Sequence, residues 1–224
     1  MKFLKASLIP LALVIVGFMR LISPWKRIRF GEILVHRLGH LIGNTECYLC
    51  EKDEGRHESF DIFIPSKGGV SHKIVYRKYR KFIHVLPRLL GEVVLKVNAL
   101  FRGWENHFVC SAQMDRDIYN LWDKRGPHMK FTALEEIKGK RLLRKLGIPY
   151  GAKWVCLFIR DSAYLKQKVP GADFSYHDYR DSDISDCIPS AVELVMRGYY
   201  VIRMGEIVKK PFNVKHSMII DYPL

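Results

Sequence analysis

The first apolar block runs from Leu8 to Met19, broken only by Pro10 and Gly17. A bilayer span takes about 20 apolar residues. Extending the block to Ile22 takes in Arg20, whose long stem would let the guanidinium reach the headgroups. No small-x-small cleavage pattern follows, so the pattern predicts an uncleaved anchor helix, with a buried N-terminal core helix as the other reading. Farther along, Ile28–Leu38 mixes apolar and basic positions and predicts a strand ending near His36. The stretch from Arg37 to Glu46 carries Gly39 and Gly43 around His40, which predicts a glycine turn and then a helix start. Asp61–Ile64 is a short strand candidate closed by Pro65 and the Gly68-Gly69 turn. Between Leu89 and Phe101, Leu90, Val93, Val94 and Val97 recur at helical spacing.

The second half is patterned more clearly. Thr132-Ala133-Leu134-Glu135 has the spacing of a capping box, which predicts a helix running to about Lys145, with Gly147 as its stop. Lys153–Ile159 reads as a strand apolar on both faces, as in a parallel sheet. A polar loop is expected from Arg160 to about Ser185. A helix over Cys187–Met196, ended by Gly198, and a strand over Tyr199–Arg203 follow. Strand, loop, helix and strand make one βαβ unit, parallel by default. The Gly126-Pro127 region, 123–131, reads as a linker. The chain therefore parses into an anchor with a basic flank (1–27), a first α/β domain (28–125) and part of a second (126–224).

Charge changes the picture more than bulk composition does. Of 224 residues, 48% are hydrophobic and 12% aromatic, enough for a sizeable core. Lys+Arg total 37 against 23 Asp+Glu, a net charge of +14, so an anionic partner is expected. Lys2, Lys5, Arg20, Lys26, Arg27 and Arg29 precede the first acid, and Glu92 is the only acid between 67 and 102. Basic residues are denser after the apolar block than before it, which predicts the body on the cytoplasmic side, against anionic lipid. No zinc finger, helix-turn-helix or aromatic RNA-binding pattern accompanies the charge, so nucleic acid is not expected as a partner. The five cysteines lack framework spacing and read as free thiols of a reducing compartment. In the lone C-x-x-C, Cys47 and Cys50 flank Tyr48-Leu49, where core packing accounts for them.

Three segments could carry chemistry. The first is Arg37, Gly39, His40, Asn44 and Glu46. Its glycines would let backbone amides approach an anion or sugar, with His40 as general base and Glu46 orienting it or binding a hydroxyl. A plain structural turn is the competing reading. His36 and His40 mimic a metal pair, but without a third ligand no metal is expected. The second is Arg160, Asp161 and Tyr164, followed by His177, Tyr179, Arg180 and Asp183. A guanidinium at a strand end can grip a diphosphate through paired hydrogen bonds and stabilise it as a leaving group. An Arg–Asp network pinning the loop fits the same residues. The third is Arg203-Met204-Gly205 at the end of the last strand, with Arg203 as a further donor phosphate or sugar ligand and a plain strand-to-loop turn as the competing reading.

Four stretches, Arg37–Glu46, Arg160–Leu165, Tyr176–Ile184 and Gly198–Gly205, resemble in their order a family of bacterial glycosyltransferases found with surface-polysaccharide synthesis. The resemblance implies a GT-B fold: two facing Rossmann-like domains, with sugar transfer in their cleft and usually no metal. A fainter likeness to the fucosyltransferase group makes Arg160 the donor-phosphate ligand and turns the Arg37–Glu46 loop toward the acceptor. It implies no cofactor beyond a nucleotide-sugar donor, a glycan or lipid-linked acceptor, and the cytoplasmic face of the bacterial inner membrane. Two departures stand out: Phe158 and Ile159 occupy the place where the family has a His before the strand-end Arg, and the family extends well beyond Leu224. A fragment or a non-catalytic, membrane-associated sugar- or nucleotide-binding remnant is the alternative expectation.

Overall fold

The computed structural model describes residues 2–110, 114–168 and 170–223. The chain is α/β with parallel sheets and divides into two compact units, Met1–Lys130 and Phe131–Leu224.

In the first unit, β1 (Ile28–Ile33), β2 (Phe60–Pro65), β3 (His84–Val85) and β4 (Phe108–Val109) form one sheet of order β3-β2-β1-β4. Every pairing is parallel, with β1 and β2 matched from Ile28↔Phe60 to Ile33↔Pro65. Six helices accompany the sheet among the described residues: α1 (Lys2–Ser7), α2 (Ile9–Leu21), α3 (Leu38–Asp53), α4 (Lys73–Tyr79), α5 (Arg88–Asn98) and α6 (Leu121–Arg125). The chain steps outward from β1 to β3 and then returns to place β4 on the other side of β1. That reversal puts a topological switch point between β1 and β4, where open α/β sheets hold ligands beyond the strand ends.

Two buried clusters follow from the alternation along the strands. Phe30 of β1 packs with Ala12, Val16 and Met19 of α2 and Val93, Val94 and Val97 of α5. Phe63 of β2 packs with Leu41, Tyr48 and Leu49 of α3 and Tyr79 of α4. Helix α5 comes so close to β2 that a Cβ on Gly91 would lie 2.3 Å from Ile64. The apolar N-terminal segment is thus a helix with only one stripe buried. By length and composition, Leu4–Leu21 is also apolar enough to cross a membrane.

In the second unit, β5 (Lys153–Phe158), β6 (Tyr199–Met204) and β7 (Ile219–Asp221) form a parallel sheet in that order. The capping box forms: Thr132 Oγ1 accepts from the Glu135 amide, and Glu135 accepts from the Thr132 amide at 2.8 Å. It opens α7 (Ala133–Lys145), and Gly147 ends the run at φ +84°. The expected loop after β5 instead contains α8 (Ala163–Lys168) and 3-10 turns at Ser175–Arg180 and Ile184–Cys187. It leads into α9 (Ile188–Met196). Ile184, Ala191, Val201, Phe212 and Ile219 form the core. β5 departs from the expected two-sided burial, because Trp154, Cys156 and Phe158 are exposed.

Candidate functional site

In the first unit, chemistry-bearing residues gather where the chain leaves β1 and β2. The Val35 amide donates to Ser66 Oγ at 3.0 Å, His36 Nδ1 lies 2.9 Å from the same oxygen, and Ser71 Oγ donates to the Val35 carbonyl. These bonds lock the two strand-end loops together. Gly68, at φ +99°, lies so close to His36 that an added Cβ would stand 3.2 Å from its Cβ. Arg37 is the N-cap of α3 but offers no side-chain cap, so the first-turn amides remain available to an anion. Arg37 and Gly39 are exposed, and half-buried His40 contacts Asn44 Oδ1 through Nδ1 at 3.3 Å.

Here the structure corrects two expectations. Gly39 does not make a turn: α3 starts at Leu38 and runs through both glycines. The tertiary packing of its Leu41, Tyr48 and Leu49 face outweighs the modest helix cost of glycine. Nor do His40 and Glu46 form a pair. Six positions apart on one helix, their side chains leave in directions roughly 120° apart. Glu46 is buried, with Oε1 accepting from Tyr79 Oη at 2.8 Å and Oε2 lying 2.8 Å from His128 Nδ1. His128 Nε2 lies 3.0 Å from Asp53. The carboxylate ties residues 128–129 to α3, which is a structural task. One possible ligand atom from each of Glu46, Cys50 and His128 falls within 4.8 Å of the others, a spacing that could hold a metal ion. However, both Glu46 oxygens are already engaged, and burial raises the Cys50 pKa, holding the sulfur as a thiol.

Deeper in the unit, Asp61 is fully buried and accepts from Arg29 Nε and Nη2 at 2.8 and 2.7 Å, from Tyr48 Oη at 2.9 Å and from Ser59 Oγ at 2.8 Å. Burial alone would raise its pKa, but these hydrogen bonds and the Arg29 charge outweigh it and hold the carboxyl below its ordinary value. Cys47 is buried in the same unit, and desolvation pushes its thiol up to about 11.

In the second unit, a crevice of about 210 Å³ opens beyond the ends of β5 and β6. It is lined by Asp161, Ser162, Asp181, Ser182, Asp183, Lys209 and Lys210, among others. The acids mainly fasten its walls. Asp161 accepts from the amides of Ala163 and Lys209, both at 2.9 Å. Asp183 takes the Ser185 amide at 2.7 Å and Lys210 Nζ at 2.6 Å, contacts that hold its pKa down at about 2. Arg160 stands beside this crevice: its Nε is 3.5 Å from Asp181, its carbonyl accepts from the Ser182 amide, and its side chain is 35% exposed. No other ion pair of that guanidinium is found among the described residues.

The remaining candidates scatter. Arg203, expected to meet phosphate, is only 1% exposed and donates instead to the Lys210 carbonyl at 2.8 Å and to Asp221 at 3.2 Å. It lies inside a strand that is central in its sheet, and the Asp221 opposite it in the register claims the charge. Tyr179 and Arg180 engage each other on the surface, Nε to Oη at 2.8 Å. Tyr164 sits on α8, with Lys168 over its ring, and His177 packs against Tyr176; none of these four lines the crevice. Sequence reasoning missed Ser66, Lys209 and Lys210. The adjacent lysines just past a strand end were a readable charge signal, whereas a single serine after Pro65 gave none.

A scan against protein-family models, a search of curated proteins and a search of solved structures each return no match.

Proposed function

We propose that this chain belongs to the nucleotide-sugar-dependent glycosyltransferase class, with GT-B-like halves working at an anionic membrane surface. One observation supports the reading above others: Arg37 and His40 in the first unit, and Arg160, Ser162, Lys209 and Lys210 in the second, lie past the carboxyl ends of parallel strands. That is where doubly wound sheets place phosphate-bearing ligands. Arg160, with Ser162, Lys209 and Lys210, is the donor-phosphate set of the second unit. His40, Arg37 and the open first turn of α3 are the acceptor-side set of the first, with His40 as the base. Glu46 and Arg203 are left out of both, since each is buried in an internal network. The apolar N-terminal helix and its basic flank supply the membrane contact.

A second reading has its own support. No carboxylate is found to orient His40 among the described residues, its side chain meeting Asn44 instead. That arrangement suits binding without turnover.

Incubating the protein with uridine-, guanosine- and cytidine-linked sugars and bacterial lipid extract, and measuring released nucleotide, separates the two. Release that falls at least tenfold in His40→Ala supports transfer. Binding with no release supports the second reading, and neither binding nor release contradicts both.

A further inference from the structure

Apart from Arg20, helix α2 is apolar on all sides, yet only the Ala12, Val16 and Met19 stripe is buried. Opposite it, Val14, Phe18 and Leu21 are 68%, 58% and 69% exposed, and Trp25 extends the line at 81%. A helix on a water-facing surface carries polar residues there, and an apolar second face calls for a second apolar phase. Beside the end of this stripe lies a cavity of about 690 Å³ walled by Trp25, Lys26, Arg27, Arg29, Arg56 and His57, with Glu58 as its one acid. Its cations are held in place. Arg29 is clamped by Asp61, Lys26 donates to the Glu58 carbonyl at 2.8 Å, and the Arg56 guanidinium stacks 3.6 Å over Tyr119. Arg27 is exposed, and no partner for its guanidinium is found among the described residues.

An apolar stripe, a tryptophan at its margin and a preorganised cluster of cations next to it match acyl chains, the interfacial belt and lipid phosphates, in that order. The ends of the apolar segment decide its orientation. Lys5 pairs with Glu92, and Arg20 donates to Asn98 Oδ1 and to the Arg102 carbonyl, both at 3.0 Å. These two ties, about 22 Å apart along a helix, fasten the segment lengthwise against α5 and the residues just after it. A helix held flat on its own domain in this way lies along a bilayer and does not thread it.

We propose that the α1–α2 segment inserts in the plane of an anionic phospholipid bilayer, and that the Lys26–Arg27–Arg56 cavity receives the phosphate of one anionic lipid. The inference rests on the membrane-surface reading above and is independent of sugar transfer.

The test is co-sedimentation of the full chain with vesicles of phosphatidylglycerol mixed into phosphatidylcholine, and with phosphatidylcholine alone. Two variants with native circular dichroism accompany it: Lys26→Gln/Arg27→Gln/Arg56→Gln in the cavity, and Phe18→Ser/Leu21→Ser on the stripe. The wild type is expected to prefer the anionic vesicles. Losing three interfacial cations should weaken that binding on the order of a hundredfold while leaving residual binding to neutral vesicles. The stripe variant should lose both. Anionic-vesicle binding that the triple variant leaves unchanged overturns the cavity assignment, while membrane association stands. Failure of the wild type to bind either vesicle overturns both. The same holds if inorganic phosphate binds without vesicle binding, or if light scattering shows a dimer, without vesicle binding, that the stripe variant dissociates. Retention of the wild type in cell membranes after alkaline carbonate extraction would show a spanning helix and overturn the in-plane orientation.

Discussion

At the scale of single residues, the first unit is organised around a buried charge. Asp61 is surrounded by Arg29, Tyr48 and Ser59, so each of its oxygens is satisfied. Removing one partner from such a set leaves the other charge uncompensated, which costs about 3–5 kcal/mol. Asp61→Asn should therefore lower the unfolding free energy obtained from urea titration at pH 7 by that order. The folded-state pKa of Asp61 is depressed, so its contribution is complete above the unfolded value of about 4 and fades as pH falls through the folded value. The gap between wild type and variant should accordingly narrow below about pH 4. A gap that stays constant into acid would mean that the pair contributes no pH-linked stability. Arg203 shows the same physics in the second unit: a guanidinium named as a ligand from its strand-end position belongs to Asp221.

At the scale of elements, backbone approach decides which glycines matter. A Cβ on Gly31 of β1 would stand 2.1 Å from the Val109 carbonyl oxygen of β4, an overlap that neither strand can relieve without breaking the sheet. Gly31→Ala should cost more than about 2 kcal/mol in urea titration. Gly43, within α3, meets nothing within 4 Å at its Cβ position. Gly43→Ala should add about 0.5–1 kcal/mol. The reverse order of these two effects would contradict the β1–β4 packing. The same contrast explains what was legible in the sequence. Helix α5 and the capped α7 have enough turns to show a period or a cap, and β6 follows a glycine stop. Strands β3 and β4 have two residues each, too few to show alternation, and α4 lies in a basic segment whose apolar positions give only one turn of pattern. Helix α3 was misread at its start because glycine propensity is weak beside the burial of Tyr48 and Leu49.

At the scale of the whole molecule, each unit carries a parallel sheet, with candidate basic and hydrogen-bonding groups past the carboxyl ends of its strands. The positions were partly legible. Arg160 follows β5 and stands beside the crevice, and His40 lies in the first turn of α3, beyond the end of β1. The pairing of groups was not legible, because the burial that took Glu46 and Arg203 out of play arises from Tyr79, His128 and Asp221, distant in sequence. The +14 charge is likewise spread unevenly: part of it walls the cavity beside α2, and part faces the crevice after β6.

The most direct measurement is calorimetric titration of the protein with uridine, guanosine and cytidine diphosphates, comparing the wild type with Arg160→Ala. At least one nucleotide should bind, and loss of the charge-assisted contact should weaken it about tenfold or more. If no nucleoside diphosphate binds, or if one binds with equal affinity after Arg160 is removed, the crevice beyond β5 and β6 is not a donor-phosphate site.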